Sequence, residues 1–361
     1  MRYLDVRTAK KISRIGLGTW QFGAEEWGYG KAYAEQEASA IVRRALKLGV
    51  TLFDTAEIYG CGQSERILGG ALGDDRESVF VATKIFPIAP YARAVRRRAH
   101  ASAMRLGVPR LDLYQVHWPN PLVPDSTLMR GMRSLQRAGL VGEVGVSNYS
   151  LRHWRAAEDA LGTRILTNQV RYSLADRSAE LELLPFAESH GHVIIAFSPL
   201  AQGLLSGAYH GGRTGTGRPL NRIRAASPQF HPESIEHTTD LIAVLREVAE
   251  AHSATPAQIA LAWAIHSPSV VTIPGASSVA QLESNVAAAE IELANDEYQA
   301  LNTASAQFRP TAARDASSDR NLPVLKQSVR MAWYVTKTIR RDLALRRAGE
   351  GSRMRSQQEG S

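Results

Sequence analysis

Four side chains with complementary acid–base chemistry stand at the ends of short, β-branched runs. They are the carboxylate of Asp54 and the phenol of Tyr59 in Phe53-Asp54-Thr55-Ala56-Glu57-Ile58-Tyr59-Gly60, the amine of Lys84 after Ala82-Thr83, and the imidazole of His117 in Val116-His117-Trp118-Pro119. Reducing a carbonyl requires a proton donor at the developing alkoxide. A free tyrosine titrates at about 10 and is a weak acid at neutral pH, but a nearby ammonium stabilises its phenolate. Lys84 is the candidate for that charge and Asp54 for keeping the amine ionised and oriented. His117 is the candidate donor to the carbonyl oxygen, and Tyr59 the general acid. Taken singly, each residue has an ordinary alternative: a strand-end Asp caps or pairs, a strand-end Lys is solvated, a lone His is structural. The joint arrangement is what points to chemistry.

Those side chains can meet only if the runs bearing them are neighbouring strands. Strand-like runs are predicted at Ile15–Thr19, Thr51–Thr55, Val79–Thr83, Leu111–Val116, Val141–Val146, Leu166–Val170, Val193–Ser198 and Val270–Pro274. Amphipathic stretches lie between them at Glu35–Leu48, Ser64–Leu72, Ala92–Leu106, Leu128–Ala138, Leu151–Leu161 and Leu181–His190, and two helices, Ile235–His252 and Pro256–Ile265, precede the last run. Strands alternating with helices imply parallel pairing through βαβ crossovers. Eight such units favour a closed (β/α)8 TIM barrel over an open doubly wound sheet, and place reactive residues at the strand C-termini. The fold expected is that barrel, with a short N-terminal hairpin and a C-terminal basic helical extension. Residues 1–306 form the barrel domain, and 307–361 a tail that is partly helical and then disordered.

The pieces Gly16-Leu17-Gly18-Thr19-Trp20, Phe53 to Gly60, Ala82-Thr83-Lys84, Val116 to Pro119, Gly145-Val146-Ser147-Asn148 and Phe197-Ser198-Pro199-Leu200 resemble the signatures of the aldo-keto reductase superfamily, in that family's order. The resemblance spans roughly residues 1 to 305, and its branch with the potassium-channel β subunits is similar. It implies the catalytic tetrad Asp54, Tyr59, Lys84 and His117. It also implies an NADP(H) cofactor laid across the barrel mouth without a Rossmann fold, and no Gly-x-Gly-x-x-Gly run is present. By position, Ser147, Asn148 and Gln169 would hold the nicotinamide carboxamide, Phe197 would stack on its ring, and Ser198, Leu200 and Gly203 would touch the pyrophosphate. Thr19 and Trp20 would line the mouth. Ser277, Ser278, Gln281 and Asn285 would take the adenosine end, although Ser278-x-x-Gln281 also reads as a capping box. Relatives place a Lys or Arg in this stretch for the 2′-phosphate, whereas Ile273 to Asn285 contains none. NAD(H) therefore stays open, and Arg222 or Arg224 is the candidate substitute. The activity implied is reduction of an aldehyde or ketone to an alcohol; the alternative is a redox-sensing nicotinamide-binding regulatory protein with little turnover.

Composition narrows the remaining classes. The single cysteine, Cys61, cannot form an intramolecular disulfide and fits a reducing compartment. Met1–Lys11 lacks the apolar core of a signal peptide, so the location expected is cytoplasmic. The net charge is +8, yet Ser317–Ser361 holds ten Lys/Arg against four Asp/Glu, which places +6 of it in the tail. That distribution argues against a nucleic-acid-binding face on the barrel. The tail's basic, amphipathic stretch Leu322–Arg347 raises membrane contact as the less favoured reading. No metal is expected, because strand ends carry no His-x-His or clustered carboxylates. The loops Gln21–Lys31, Pro87–Tyr91 and Ala201–Glu233 are expected to set substrate choice, with Trp27 and Tyr29 as an aromatic rim.

Overall fold

The structure, a computed structural model, describes residues 1–23, 32–210, 224 and 227–308, side chains at 32–34, 228 and 307 excepted. The chain divides into two compact units, Met1–Arg320 and Asn321–Ser361. All described residues fall in the first. The rim residues Trp27 and Tyr29, Arg222 and the tail Leu322–Arg347 lie outside the described residues.

Among the described residues, eight parallel strands follow one another in sequence order. They are β1 (Leu17–Gly18), β2 (Leu52–Asp54), β3 (Phe80–Ile85), β4 (Leu111–Val116), β5 (Val141–Ser147), β6 (Thr167–Arg171), β7 (Val193–Phe197) and β8 (Val270–Thr272). The ring closes where β1 meets β8, through parallel bridges Ile15–Thr272 and Gly18–Gly275. The Gly16 amide donates to Thr272 O at 2.7 Å and the Gly18 amide to Pro274 O at 3.2 Å. A Cβ at Gly18 would stand 2.6 Å from Ile273 O, so the seam tolerates no larger residue without shifting. The crossover helices named below are α1 (Ala32–Lys47), α2 (Gln63–Leu72), α3 (Ala92–Leu106), α4 (Asp125–Arg137), α5 (Leu151–Leu161) and α6 (Leu183–His190).

Strand periodicity sorts side chains into two apolar layers. Val81, Tyr114, Val144, Val170 and Ile194 face outward and pack under the helices. Leu52, Phe80, Ala82, Leu113, Val193, Ile195 and Val271 face inward and fill the bore. Leu4 and Ile12 join this inner cluster. They come from the N-terminal hairpin, in which Tyr3 bridges Ser13 antiparallel and the Leu4 amide donates to Ile12 O at 2.8 Å. The hairpin thus caps the bore at the end away from the strand C-termini.

Most element ends shift from expectation by one to three residues, and two of the differences bear on the site and its surroundings. β3 continues through Lys84 to Ile85, so the lysine lies inside the strand, held by pairing with Gln115 of β4. The predicted helix over 235–252 is two helices, α7 (Pro232–Glu236) and α8 (Thr239–Ala251). At the break, the Thr238 hydroxyl lies 2.6 Å from both Ile235 O and His210 Nε2. A threonine hydroxyl competing for backbone acceptors interrupts a helix in this way. After them come α9 (Pro256–Ala264), whose start carries a Thr255–Gln258 capping box, then α10 (Val279–Ala287) and α11 (Asn295–Gln307). No helix among the described residues is long and apolar enough to cross a membrane.

Candidate active site

The site is assembled from the C-terminal ends of β2, β3 and β4 and the turn after β2. Asp54 ends β2, and Tyr59 opens a tight turn, Tyr59–Gly62, in which Gly60 and Cys61 adopt left-handed φ of 55° and 57°. The turn reverses the chain into α2, and a buried hydroxyl cluster locks both of its ends. The Thr19 hydroxyl donates to Asp54 O at 2.8 Å and lies 2.8 Å from Ser64 Oγ, which in turn lies 2.9 Å from Thr55 Oγ1. Tyr59 is thereby held between two fixed points, Thr55 and Ser64.

Lys84 is fully buried. Its Nζ donates to Asp54 Oδ1 at 2.6 Å, to Thr55 O at 2.8 Å and to the Tyr59 hydroxyl at 3.4 Å. The Asp54 carboxylate has further donors in Gln169 Nε2 at 2.7 Å and Gln115 Nε2 at 3.4 Å. Burial pushes the Asp54 carboxyl up and the Lys84 amine down, because both charged forms lose water, and their mutual attraction opposes both shifts. The amine is therefore a charge kept by its partner rather than by solvent.

His117 follows β4 with its ring edge-on to Tyr59, centroids 5.7 Å apart, and edge-on to Phe86 at 6.1 Å. Trp118 stacks on it at 6.4 Å. Burial, and then the Lys84 charge, hold the imidazole well below its usual range, so it is neutral at pH 7. Its Nδ1 has no hydrogen-bond partner among the described residues. Trp20, 43% exposed, lies 6.5 Å from the Tyr59 ring and walls the open side.

Next to this group sits a polar cluster at the end of β5. Ser147 Oγ donates to Gln169 O at 2.9 Å, and Asn148 Nδ2 reaches both Ser147 Oγ at 3.0 Å and His117 O at 3.1 Å. Asn148 adopts φ 62°, which turns its amide back over the strand ends. Phe197 ends β7, half-buried, against the inner cluster. Beyond it the chain turns through left-handed Ser198, Gln202 and Gly203 (φ 50°, 56° and 98°), and Leu200 O accepts the Gly203 amide at 2.8 Å. Arg224 donates to Gln202 O at 2.9 Å. Asp54, Tyr59, Lys84, His117, Thr19, Trp20, Ser147, Asn148 and Gln169 thus form one continuous contact set.

The residues after β8 form a separate hydrogen-bonded group. Ser278 caps α10 by accepting the Gln281 amide at 3.2 Å, while Gln281 Oε1 accepts from the Ser277 amide at 2.8 Å and hydroxyl at 2.9 Å. Asn285 Nδ2 donates to Gly275 O at 3.3 Å. Gln21 Nε2 donates to Ala276 O at 2.8 Å, tying this loop to the end of β1.

Several participants escape a reading of the sequence. Gln115 lies two residues before His117, so strand alternation alone could have placed it on the same face. Glu57 accepts the Phe86 amide at 2.6 Å and pairs with Arg98 of α3, which also donates to Ile88 O at 2.7 Å and Phe86 O at 2.6 Å. Glu65, fully buried, accepts Thr83 Oγ1 and Arg105 Nε, each at 2.6 Å, and so pins β3 one residue before Lys84. Glu65, in the first turn of α2, ordinarily reads as an end charge and Glu57 as a turn residue, and only the fold reveals their partners.

Residues 14–306 match the sequence profile of the aldo/keto reductase family. An uncharacterized oxidoreductase of Mycobacterium tuberculosis is 55% identical over 312 residues, covering 86% of this chain and 95% of that protein. The methylglyoxal reductase of Escherichia coli is 32% identical over 294 residues, covering 81% and 91%. In structure, an aldo/keto reductase from Klebsiella pneumoniae, crystallised with NADP and acetate, superposes with a TM-score of 0.67 at 29% identity, over 84% of this chain and 93% of that one. The strand order, the sealed eight-strand ring and the profile spanning it agree, and the chain belongs to the aldo/keto reductase family of oxidoreductases.

Proposed function

We propose that the protein reduces an aldehyde or ketone to an alcohol with NADPH, Tyr59 delivering the proton. The observation that carries this reading is the reach of Lys84 Nζ to the Tyr59 hydroxyl and the Asp54 carboxylate together, in a site from which Lys84 sees no water. An ammonium at 3.4 Å stabilises the phenolate that remains once Tyr59 has given up its proton. The Asp54 carboxylate keeps that amine charged despite its burial, and Gln169 and Gln115 fix the carboxylate in turn. Neutral His117, edge-on to Tyr59, is placed to donate a hydrogen bond to the carbonyl oxygen and polarise it.

The residues beside this group fit a dinucleotide. Ser147 and Asn148 offer the hydroxyl and amide that a carboxamide requires, and Phe197 an aromatic face. Gln202, within the left-handed turn that would carry the pyrophosphate, has a buried Oε1 with no partner among the described residues. The amides at the start of α10 favour an anion at the adenosine end. A bound reduced nicotinamide supplies hydride to the carbonyl carbon. The Klebsiella pneumoniae reductase bound to NADP supports this cofactor, and the methylglyoxal reductase supports a small carbonyl substrate. Arg224, whose guanidinium donates to Gln202 O, is the candidate for the missing basic residue after β8.

The test is NADPH and NADH oxidation across a panel of aldehydes and ketones, methylglyoxal included, for the wild type and Tyr59→Phe. The expected loss is about 10²- to 10⁴-fold in kcat for the variant, the usual contribution of a positioned acid. Unchanged turnover in Tyr59→Phe overturns the role of the tyrosine. Tight NADPH binding with no turnover on any carbonyl overturns the enzymatic reading and leaves the regulatory one.

A further inference from the structure

One charged side chain at the barrel mouth is used by nothing described so far. Arg171 is the last residue of β6 and pairs in register with Phe197 of β7. Strand alternation puts it on the face of Gln169, whose amide reaches inward to Asp54, while Val170 between them packs outward under the helices. Its guanidinium carbon lies 5.9 Å from the centroid of the Phe197 ring, a cation–π distance that holds the head group over the rim.

Other half-buried arginines of the barrel are engaged. Arg98 binds Glu57, Arg105 binds Glu65, Arg177 binds Glu180, and Arg133 donates to the Leu161 and Ala160 carbonyls. Arg171 is half-buried too, yet among the described residues it has neither a carboxylate nor a carbonyl within hydrogen-bond reach. Nor is its charge offset by its neighbours in the mouth. Lys84 is matched by Asp54 and Glu57 by Arg98, so among these described residues Arg171 stands as an unmatched positive charge. A half-buried guanidinium with all five donors unspent is costly unless an acceptor arrives. Its planar fork suits a two-oxygen anion.

We propose that Arg171 is a specificity-determining cation that takes an oxyanion, carboxylate or phosphate, of the small molecule bound at the barrel mouth. The oxyanion belongs either to the substrate or to the diphosphate of the cofactor. The proposal rests on the reading of that mouth as a reductase site, and the test separates the two.

Arg171→Met keeps an apolar stem against Phe197 and removes the fork. Two aldehyde acids, succinic semialdehyde and 4-carboxybenzaldehyde, are compared with their methyl esters in kcat/KM, and NADPH affinity is titrated by fluorescence. If the oxyanion is the substrate's, the wild type favours acid over ester, and Arg171→Met loses about tenfold or more of that ratio at unchanged NADPH Kd, the size expected for one charge-assisted contact. If it is the cofactor's, the NADPH Kd rises about tenfold and the acid-to-ester ratio stays near one in both proteins. Arg171→Lys, which keeps stem and charge but not the fork, gives a partial loss of the same quantity and carries the comparison should the Met variant fail to fold. Ratio and Kd both within twofold of wild type in a folded variant overturn the proposal. A wild type that binds NADPH but reduces none of the four aldehydes defeats the reductase reading alone. Arg171 is then decided by the NADPH titration and by quenching of bound-NADPH fluorescence with 4-carboxybenzaldehyde against its ester.

Discussion

Gln169 Nε2 lies 2.7 Å from Asp54 Oδ2, joining β6 to β2 across the bore through residues 115 apart in the chain. The acid that orients Lys84 is therefore fixed from both sides: by the amine it serves on one oxygen and by an amide from the far wall on the other. A mouth braced in this way makes its charges interdependent, and the first prediction follows from that.

Removing either member of the Asp54–Lys84 pair strands the other as a buried, unmatched charge. Lys84→Met and Asp54→Leu are each expected to cost about 3–5 kcal/mol of stability, while the double variant loses much less than their sum. Urea unfolding of all four proteins measures the coupling; additive losses would show that the pair does not act as a unit. NADPH-dependent turnover is lost in all three variants if the proposed function holds.

Acid should weaken the fold through histidines buried in neutral form. His192 packs against Trp154 and Phe186, and burial, aided by the charges of Arg164 and His190, pushes it down to about 4. His117 is held low as well. On acidification the unfolded chain takes up protons first, near the ordinary value of about 6.5. Stability is therefore full above that pH and falls below it, and the His192 share of the decline ends near 4, where the native state protonates too. Urea midpoints at pH 7.5, 6.0 and 5.0 trace the decline, and His192→Phe should flatten it. Equal slopes in both proteins would clear His192 of the effect.

Gly145 sits inside the barrel, where a Cβ would meet Thr167 Oγ1 at 2.2 Å and Gln115 Cγ at 2.8 Å. Gly145→Ala is expected to destabilise by about 1–3 kcal/mol as an overpacked core position. It should also lower kcat, because the displaced Gln115 donates to Asp54. Thermal melting and steady-state kinetics check both halves. A variant with normal melting and normal kcat would mean that the bore has slack.

The Glu57–Arg98 pair ties the turn before Tyr59 to the loop after β3 through the Phe86 amide and the Phe86 and Ile88 carbonyls. Arg98→Met should free those carbonyls and cost about 1–3 kcal/mol. The KM for carbonyl substrate is expected to rise more than kcat falls, since the clamp meets the site's side chains through Phe86, edge-on to His117, whereas its link to Lys84 is a backbone one, the Glu57 amide on Lys84 O at 3.3 Å. Equal losses in both parameters would assign the clamp to the proton donor instead.

Much of this architecture could be read from the chain. β4, α3 and α5 carry boundaries identical to those predicted, because each has strong periodicity and a firm stop: Gly107 after α3, Gly162 after α5, the Leu111–Val116 run itself. That Asp54, Tyr59, Lys84 and His117 come together was legible because Asp54 ends β2, Lys84 lies one residue before the end of β3, His117 follows β4 and Tyr59 sits in the turn after β2, and strand ends of a parallel barrel converge. What stayed hidden depends on contacts between elements far apart in sequence. The hydroxyl cluster of Thr19, Thr55 and Ser64 joins three segments by side chains that individually look like ordinary turn residues. Gln169 is expected from its position to hold the nicotinamide carboxamide, and in the structure its amide donates to Asp54, a partner the sequence does not announce. The break at Thr238 turns on one hydroxyl meeting His210, a partner no local pattern announces.

The seam between β1 and β8 carries a cost in time. Its bonds join Gly16 and Gly18 to Thr272 and Pro274, so the first strand waits for almost the entire domain before it has a second neighbour. Contacts of such sequence separation form slowly. During synthesis the nascent sheet must therefore present an unmet edge on β1 until β8 leaves the ribosome. That edge is two residues long and glycine-rich, which makes it a poor template for stray strands while it waits.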